Sequence, residues 1–150
     1  MPDSPTVHAS AVLVGPRAIL IRGPSGSGKS RLALGLIRAG KAGHLPIGRL
    51  LADDRVQLEA SHGRILARPV PSLAGLIEAR GLGIRHLDYE AVAVVGFVVD
   101  LAAPDAERLP TAREREAVIE NIALPRLAVA AGENPLPIVL AWLGTDAAPA

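Results

Sequence analysis

The chain has 150 residues, 49% of them apolar, and its sixteen basic and fifteen acidic side chains leave a formal charge of +1. That length suits one domain with a sizeable core and is too short for two ordinary ones, and no run approaches the roughly 18–20 apolar residues of a membrane-crossing helix, so a single soluble unit over residues 1–150 is expected. A near-neutral charge balance, no dense Lys/Arg block and only Tyr89, Phe97 and Trp142 as aromatics argue against nucleic-acid binding, and the lack of cysteine excludes disulfides and thiolate metal sites. The opening MPDSPTVHAS carries an acid and two prolines where an export signal would be basic and then apolar, so a cytoplasmic protein is expected.

In chain order, Ala11 to Val14 and Ala18 to Arg22 flank the turn dipeptide Gly15-Pro16 and read as paired strands. The second leads straight into a glycine-rich run. From Lys29 to Arg38 the apolar residues Leu32, Ala33, Leu36 and Ile37 fall at helical spacing, with Gly40 as a stop. Leu50 to Ala52 is a short strand ending in Asp53-Asp54. Val56 to Ala60 and Ile65 to Val70, around Ser61-His62-Gly63, read as a hairpin. Leu73 to Glu78 is expected to form one or two helical turns before Arg80-Gly81-Leu82-Gly83, whose glycines imply unusual backbone angles. Ala91 to Leu101 is the strongest buried strand. After a Pro- and charge-rich stretch from Pro104 to Glu116 come apolar runs at Val118 to Ile122 and Leu127 to Ala130, then a closing helix over Pro137 to Leu143 and a frayed tail over 145–150. A single α/β domain with a mixed sheet follows.

Gly23-Pro24-Ser25-Gly26-Ser27-Gly28-Lys29-Ser30 matches the phosphate-binding P-loop pattern G-x-x-x-x-G-K-[ST], and it lies between a strand and a helix as that motif requires. Such a loop turns backbone N–H groups toward phosphates, and the helix adds its positive dipole end. Lys29 would neutralise the terminal phosphates and the Ser30 hydroxyl would ligate Mg²⁺, making ATP and Mg²⁺ the expected cofactors. Metal-dependent transfer to a hydroxyl also needs a carboxylate near the metal and a base. Asp53 and Asp54 could divide those tasks, while Asp100, ending an aliphatic strand, competes for the metal as a Walker B acid. His8, His44, His62 and His86 lack metal-ligand spacing, and Glu114 and Glu116, interleaved with Arg113 and Arg115, read as a solvated face.

Taken together, GPSGSGKS (23–30), LLADDRV (50–56) and LIEARGLGI (76–84) resemble the HPr kinase/phosphorylases, the last matching their E-x-R-G-L-G signature. The resemblance implies the P-loop fold shared with phosphoenolpyruvate carboxykinases, and a serine kinase, with phosphorylase activity in the reverse direction, acting on an HPr-type phosphocarrier of the phosphotransferase system. It implies Asp53 as the base, Asp54 and Glu78 with Ser30 at the metal, Arg80 beside them, His8 near the active site, Arg108 as an active-site arginine, and a hexameric assembly. It is strongest over residues 7–130 and closest to the short alphaproteobacterial forms that lack the family's N-terminal domain. Arg31 stands where the family has Glu, Ala79 replaces a branched apolar residue, and AVAAGEN (128–134) replaces a basic PVRPGRN-like segment. A small-molecule kinase sharing the P-loop, and a nucleotide-sensing regulator without transfer activity, are the rival readings.

Overall fold

The computed structural model describes residues 5–106 and 110–146. Its strands are β1 (Thr6–Val7), β2 (Ala9–Leu13), β3 (Ala18–Arg22), β4 (Arg49–Ala52), β5 (Val56–Ser61), β6 (Arg64–Pro69), β7 (Leu76–Ala79), β8 (Gly83–His86), β9 (Ala93–Asp100), β10 (Glu116–Ile119) and β11 (Ile122–Ala128), and its helices are α1 (Lys29–Lys41) and α2 (Pro135–Gly144). The main sheet runs β1-β5-β6-β9-β3-β2-β4, with β11 joining β9 and β10 joining β11, while β7 and β8 form a separate hairpin.

Strand β9 is the hub. One edge of it pairs parallel with β3, and the other pairs antiparallel with β6 at Ala93 and Val94 and then parallel with β11 from Val98 to Asp100. Two different neighbours along one edge make the sheet split and curl. Because β2 is antiparallel to both β3 and β4, the carboxyl ends of β3, β4, β9 and β11 all face one way. Ligands bind outside that edge in open α/β sheets.

The central strands read as unbroken aliphatic runs because both their faces are covered. In β3, Ile19 and Ile21 pack toward α1 with Leu32, Leu36 and Val99. Leu20 points the other way, into a second core with Leu51, Val56, Ile65 and Val98 beneath the curled hairpins. The far end of α1 is pressed onto the chain entering β4, where a Cβ on Gly40 would lie 2.1 Å from the Gly48 nitrogen. Only two glycines can cross there.

Most expected elements are present, with one correction. Leu73 to Glu78 is not helical: Pro71–Leu73 is a single 3-10 turn, Gly75 at φ 80 breaks the chain, and Leu76–Ala79 is a strand paired with β8. Its buried residues are Ile77 and Ala79, a two-residue period that a short apolar run conceals. The apolar run 118–122 is interrupted by Glu120 (φ 49) and Asn121 (φ 64), the two left-handed residues of a tight hairpin turn joining β10 to β11. The expected final helix spans Pro135–Gly144 with Asn134 as its N-cap, and residues 147–150 of the tail lie outside the described residues.

Candidate active site

At the carboxyl end of β3 the chain enters the Gly23–Ser30 loop, where Gly26 (φ 80) and Gly28 (φ 100) take left-handed angles that side chains disfavour. Helix α1 starts directly after Gly28 with no side-chain cap and no acid in its first turn. Its first N–H groups therefore lack intrahelical partners, the arrangement that receives an anion. Gly23 is packed against the loop's own floor: a Cβ there would meet Ser27 Oγ at 2.5 Å and Leu101 Cβ at 3.1 Å. Lys29 is buried and folds back over the loop, donating to the carbonyls of Gly23 (2.8 Å) and Pro24 (3.2 Å). Ser27 Oγ is buried without a hydrogen-bond partner.

Beside the loop, at the end of β4, the two acids have opposite environments. Asp53 is 6% exposed and accepts from the hydroxyls of Ser30 (2.7 and 2.8 Å) and Ser10 (2.6 Å) and from the Glu78 N–H (3.1 Å). Asp54, at φ 69, turns outward with its side chain 64% exposed and pairs with His8 Nε2 at 2.5 Å. His8 arrives because β2, antiparallel to β3, begins where its neighbours end. The loop serine, both acids and His8 thus form one contiguous group.

Glu78 joins through its backbone, since its N–H and not its carboxylate meets Asp53. Its side chain and that of Arg80 are exposed on the β7–β8 hairpin. Arg108 lies outside the described residues. Among the described residues no three His, Asp or Glu side chains converge as a ready-made metal site.

Asp100 does not stand free as a Walker B acid. Arg22 grips its carboxylate with two hydrogen bonds (2.7 and 2.8 Å) and Arg126 adds a third (2.5 Å). Arg126 also forks onto Asp105 (2.7 and 2.9 Å) and donates to the Glu114 carbonyl (2.9 Å). Burial alone would raise the Asp100 pKa, but the hydrogen bonds and charges of Arg22 and Arg126 outweigh it and hold the carboxyl below its usual range. The network clamps the stretch after β9 to β11. Ser10 and Arg126 are the site-supporting residues that sequence reasoning missed, and the only signal for each is a polar side chain inside an otherwise aliphatic strand.

Residues 1–139 match the family model described as HPr Serine kinase C-terminal domain. An HPr kinase/phosphorylase from Mycoplasma mycoides is 45% identical over 83 residues, which are 54% of this chain and 24% of that protein. One from Clostridium tetani is 38% identical over 95 residues, 63% of this chain and 28% of that protein. The matched segments thus span about a quarter of these curated relatives' length. The solved structure of an Hpr(Ser) kinase/phosphatase from Coxiella burnetii superposes with a TM-score of 0.75 at 22% identity, covering 94% of this chain and 95% of that one. That likeness establishes the mixed α/β fold.

Proposed function

The chain belongs to the family of the HPr Serine kinase C-terminal domain, and on that premise we propose that it is an ATP- and Mg²⁺-dependent serine kinase whose acceptor is an HPr-type phosphocarrier protein. The observation that carries this reading is the hydrogen bonding of Ser30, the last residue of the glycine-rich loop, to the buried carboxylate of Asp53. A phosphate loop and an acid pair share one site.

The residues fit both cofactors. Uncapped amides at the start of α1, the unpartnered Ser27 hydroxyl and the tight packing at Gly23 suit a polyphosphate. The hard oxygens of Ser30 and Asp53 suit Mg²⁺, which when bound supplies neutralisation of charge on the transferring group. Lys29, already lying on the loop carbonyls, holds the terminal phosphates. The acceptor serine oxygen bonds to the γ-phosphorus as the bond to ADP breaks, and the hydroxyl proton passes to a carboxylate.

The family resemblance gives that proton to Asp53 and the metal to Asp54; the hydrogen bonds favour the opposite division. Asp53 is engaged by three donors and sits against Ser30, whereas Asp54 and His8 face solvent, where a protein acceptor arrives. The test is incubation with labelled ATP, Mg²⁺ and the cognate HPr-type protein, with label expected on an acceptor serine. Label on a metabolite instead would favour a small-molecule kinase, and binding without transfer a nucleotide sensor.

A further inference from the structure

Ser10 is the only polar side chain in β2, among Ala9, Ala11, Val12 and Leu13, and it is fully buried. Its hydroxyl donates its one proton to Asp53 Oδ1 at 2.6 Å and accepts from the Asp54 N–H at 3.3 Å. Among the described residues no other side chain is hydrogen-bonded to both acids. Packing alone asks for neither bond, and an alanine would fill the strand without the cost of burying a hydroxyl.

The two oxygens of Asp53 are held by different elements. Ser10 of β2 grips Oδ1, the backbone N–H of Glu78 in β7 grips Oδ2 at 3.1 Å, and the Ser30 hydroxyl lies astride both at 2.7 and 2.8 Å. With both oxygens tied, the carboxylate cannot turn about its Cβ–Cγ bond without breaking a contact. Without Ser10, Oδ1 keeps only Ser30, and the carboxylate is free to swing about the Glu78 contact. The Asp54 N–H, at a residue already held at φ 69, loses its acceptor at the same time.

We propose that Ser10 is a positioning residue of the transfer reaction: its hydroxyl locks the Asp53 carboxylate in the orientation in which it and Ser30 together accept Mg²⁺. The inference rests on the assignment of Mg²⁺ to these two residues under the proposed function. Hydrogen bonds to a ligating carboxylate fix its orientation, and losing one typically costs ~10–100-fold in metal affinity. Nucleotide held by the loop alone does not need Ser10, whose side-chain hydrogen bonds go only to the two acids.

The test is calorimetric measurement of ADP affinity for the full chain, once with Mg²⁺ and once with EDTA, the ratio reading how firmly the protein holds the metal. Mg²⁺ should tighten ADP binding to the wild type, and Ser10→Ala should reduce that tightening about tenfold or abolish it. Metal-free ADP should bind the variant as it binds the wild type, which also certifies its fold. The Mg²⁺ concentration for half-maximal transfer should rise by the same factor, whereas a mere loss of folded protein lowers the maximum and leaves that concentration unmoved. Ser10→Cys, which keeps the shape but donates weakly, should follow Ser10→Ala and carries the comparison should the latter not fold. Ser10→Thr, which keeps the hydroxyl and crowds the strand, should stay within about threefold of the wild type. Unchanged tightening in Ser10→Ala, or Cys behaving as wild type while Thr behaves as Ala, would make Ser10 a packing residue and overturn the inference with the metal assignment left standing. No tightening by Mg²⁺ in the wild type would overturn that assignment and this inference with it, and no binding of ADP at all would overturn the loop reading as well.

Discussion

Replacing Arg126 by Met removes the centre of the ion network at the carboxyl ends of β3, β9 and β11. Three things are lost: one hydrogen bond to Asp100, the fork onto Asp105 and the bond to the Glu114 carbonyl. The side chains of Arg126 and Asp100 are only 12% and 15% exposed, so the ~3–5 kcal/mol cost of breaking a buried pair is the starting figure. It must be reduced, since Asp100 keeps Arg22, and Asp105, with its side chain 40% exposed, can be rehydrated. We expect a loss of about 2–3 kcal/mol, which for a domain of this size lowers Tm by about 4–12 °C. Urea denaturation should show a reduced midpoint at constant slope. Because the Asp100 pKa is lowered in the folded state, its stabilising contribution is present above its unfolded pKa and is lost as pH falls through the folded value. The gap between wild type and variant should therefore be full near pH 7 and shrink below about pH 4. In parallel, Asp100→Asn should leave the Mg²⁺ requirement of phosphoryl transfer unaltered. A variant at Arg126 as stable as wild type, or a shifted Mg²⁺ requirement in Asp100→Asn, would refute the structural role and return Asp100 to the metal.

Lys29→Ala should weaken MgATP binding at least about tenfold, the lower bound for a charge-assisted contact, and unchanged affinity with unchanged turnover would sink the phosphate-loop assignment. Asp54→Asn should keep MgATP affinity yet lose about a hundredfold or more in transfer, the usual worth of a positioned base, while Asp53→Asn should raise the Mg²⁺ concentration required. The reverse pattern would restore the division that the family resemblance implies. Gly40→Ala drives a methyl into the backbone of Gly48, so its cost should reach or exceed the top of the ~1–3 kcal/mol typical of overpacking. Chemical denaturation would read that loss, and a cost below 1 kcal/mol would mean that α1 and the β4 approach are not held as described.

The backbone of the glycine-rich loop was legible because its shape is a local device: spacing, glycine angles and the start of the following helix all fall within eight residues, Gly23 to Ser30. The buried strand β9 was legible for a similar reason, as an aliphatic run with no polar face. Asp100 was not. Its strand-end position suits a metal acid, and its true partners lie 78 and 26 residues away, set by the pairing of β9 with β3 and β11. The Leu73 to Glu78 segment misled because four apolar residues around one acid fit a helical turn as readily as a strand, and only packing against α1 decides between them. The replacement of the basic segment by AVAAGEN was visible in sequence. That this stretch walls a cleft beside the loop is visible only in the fold.

The opposite fates of Asp53 and Asp54 trace to two small irregularities that no motif encodes. Between β2 and β4 the register slips by one residue, so that Val12 faces Leu50 but Ala11 faces Ala52. Had the pairing run on unshifted, Ala9 would come level with Asp53 and offer only a methyl group. The bulge brings Ser10 there instead, and its hydroxyl donates to the carboxylate at 2.6 Å inside the core. Bulges beside active sites re-aim side chains in this way. One residue later the backbone of Asp54 turns to φ 69, an angle that Asp tolerates better than most residues. That turn carries the second carboxylate out to His8 while the first stays against Ser30. Neighbouring residues of identical chemistry thereby acquire a dry side and a wet side, the asymmetry on which the proposed division of metal and proton between them rests.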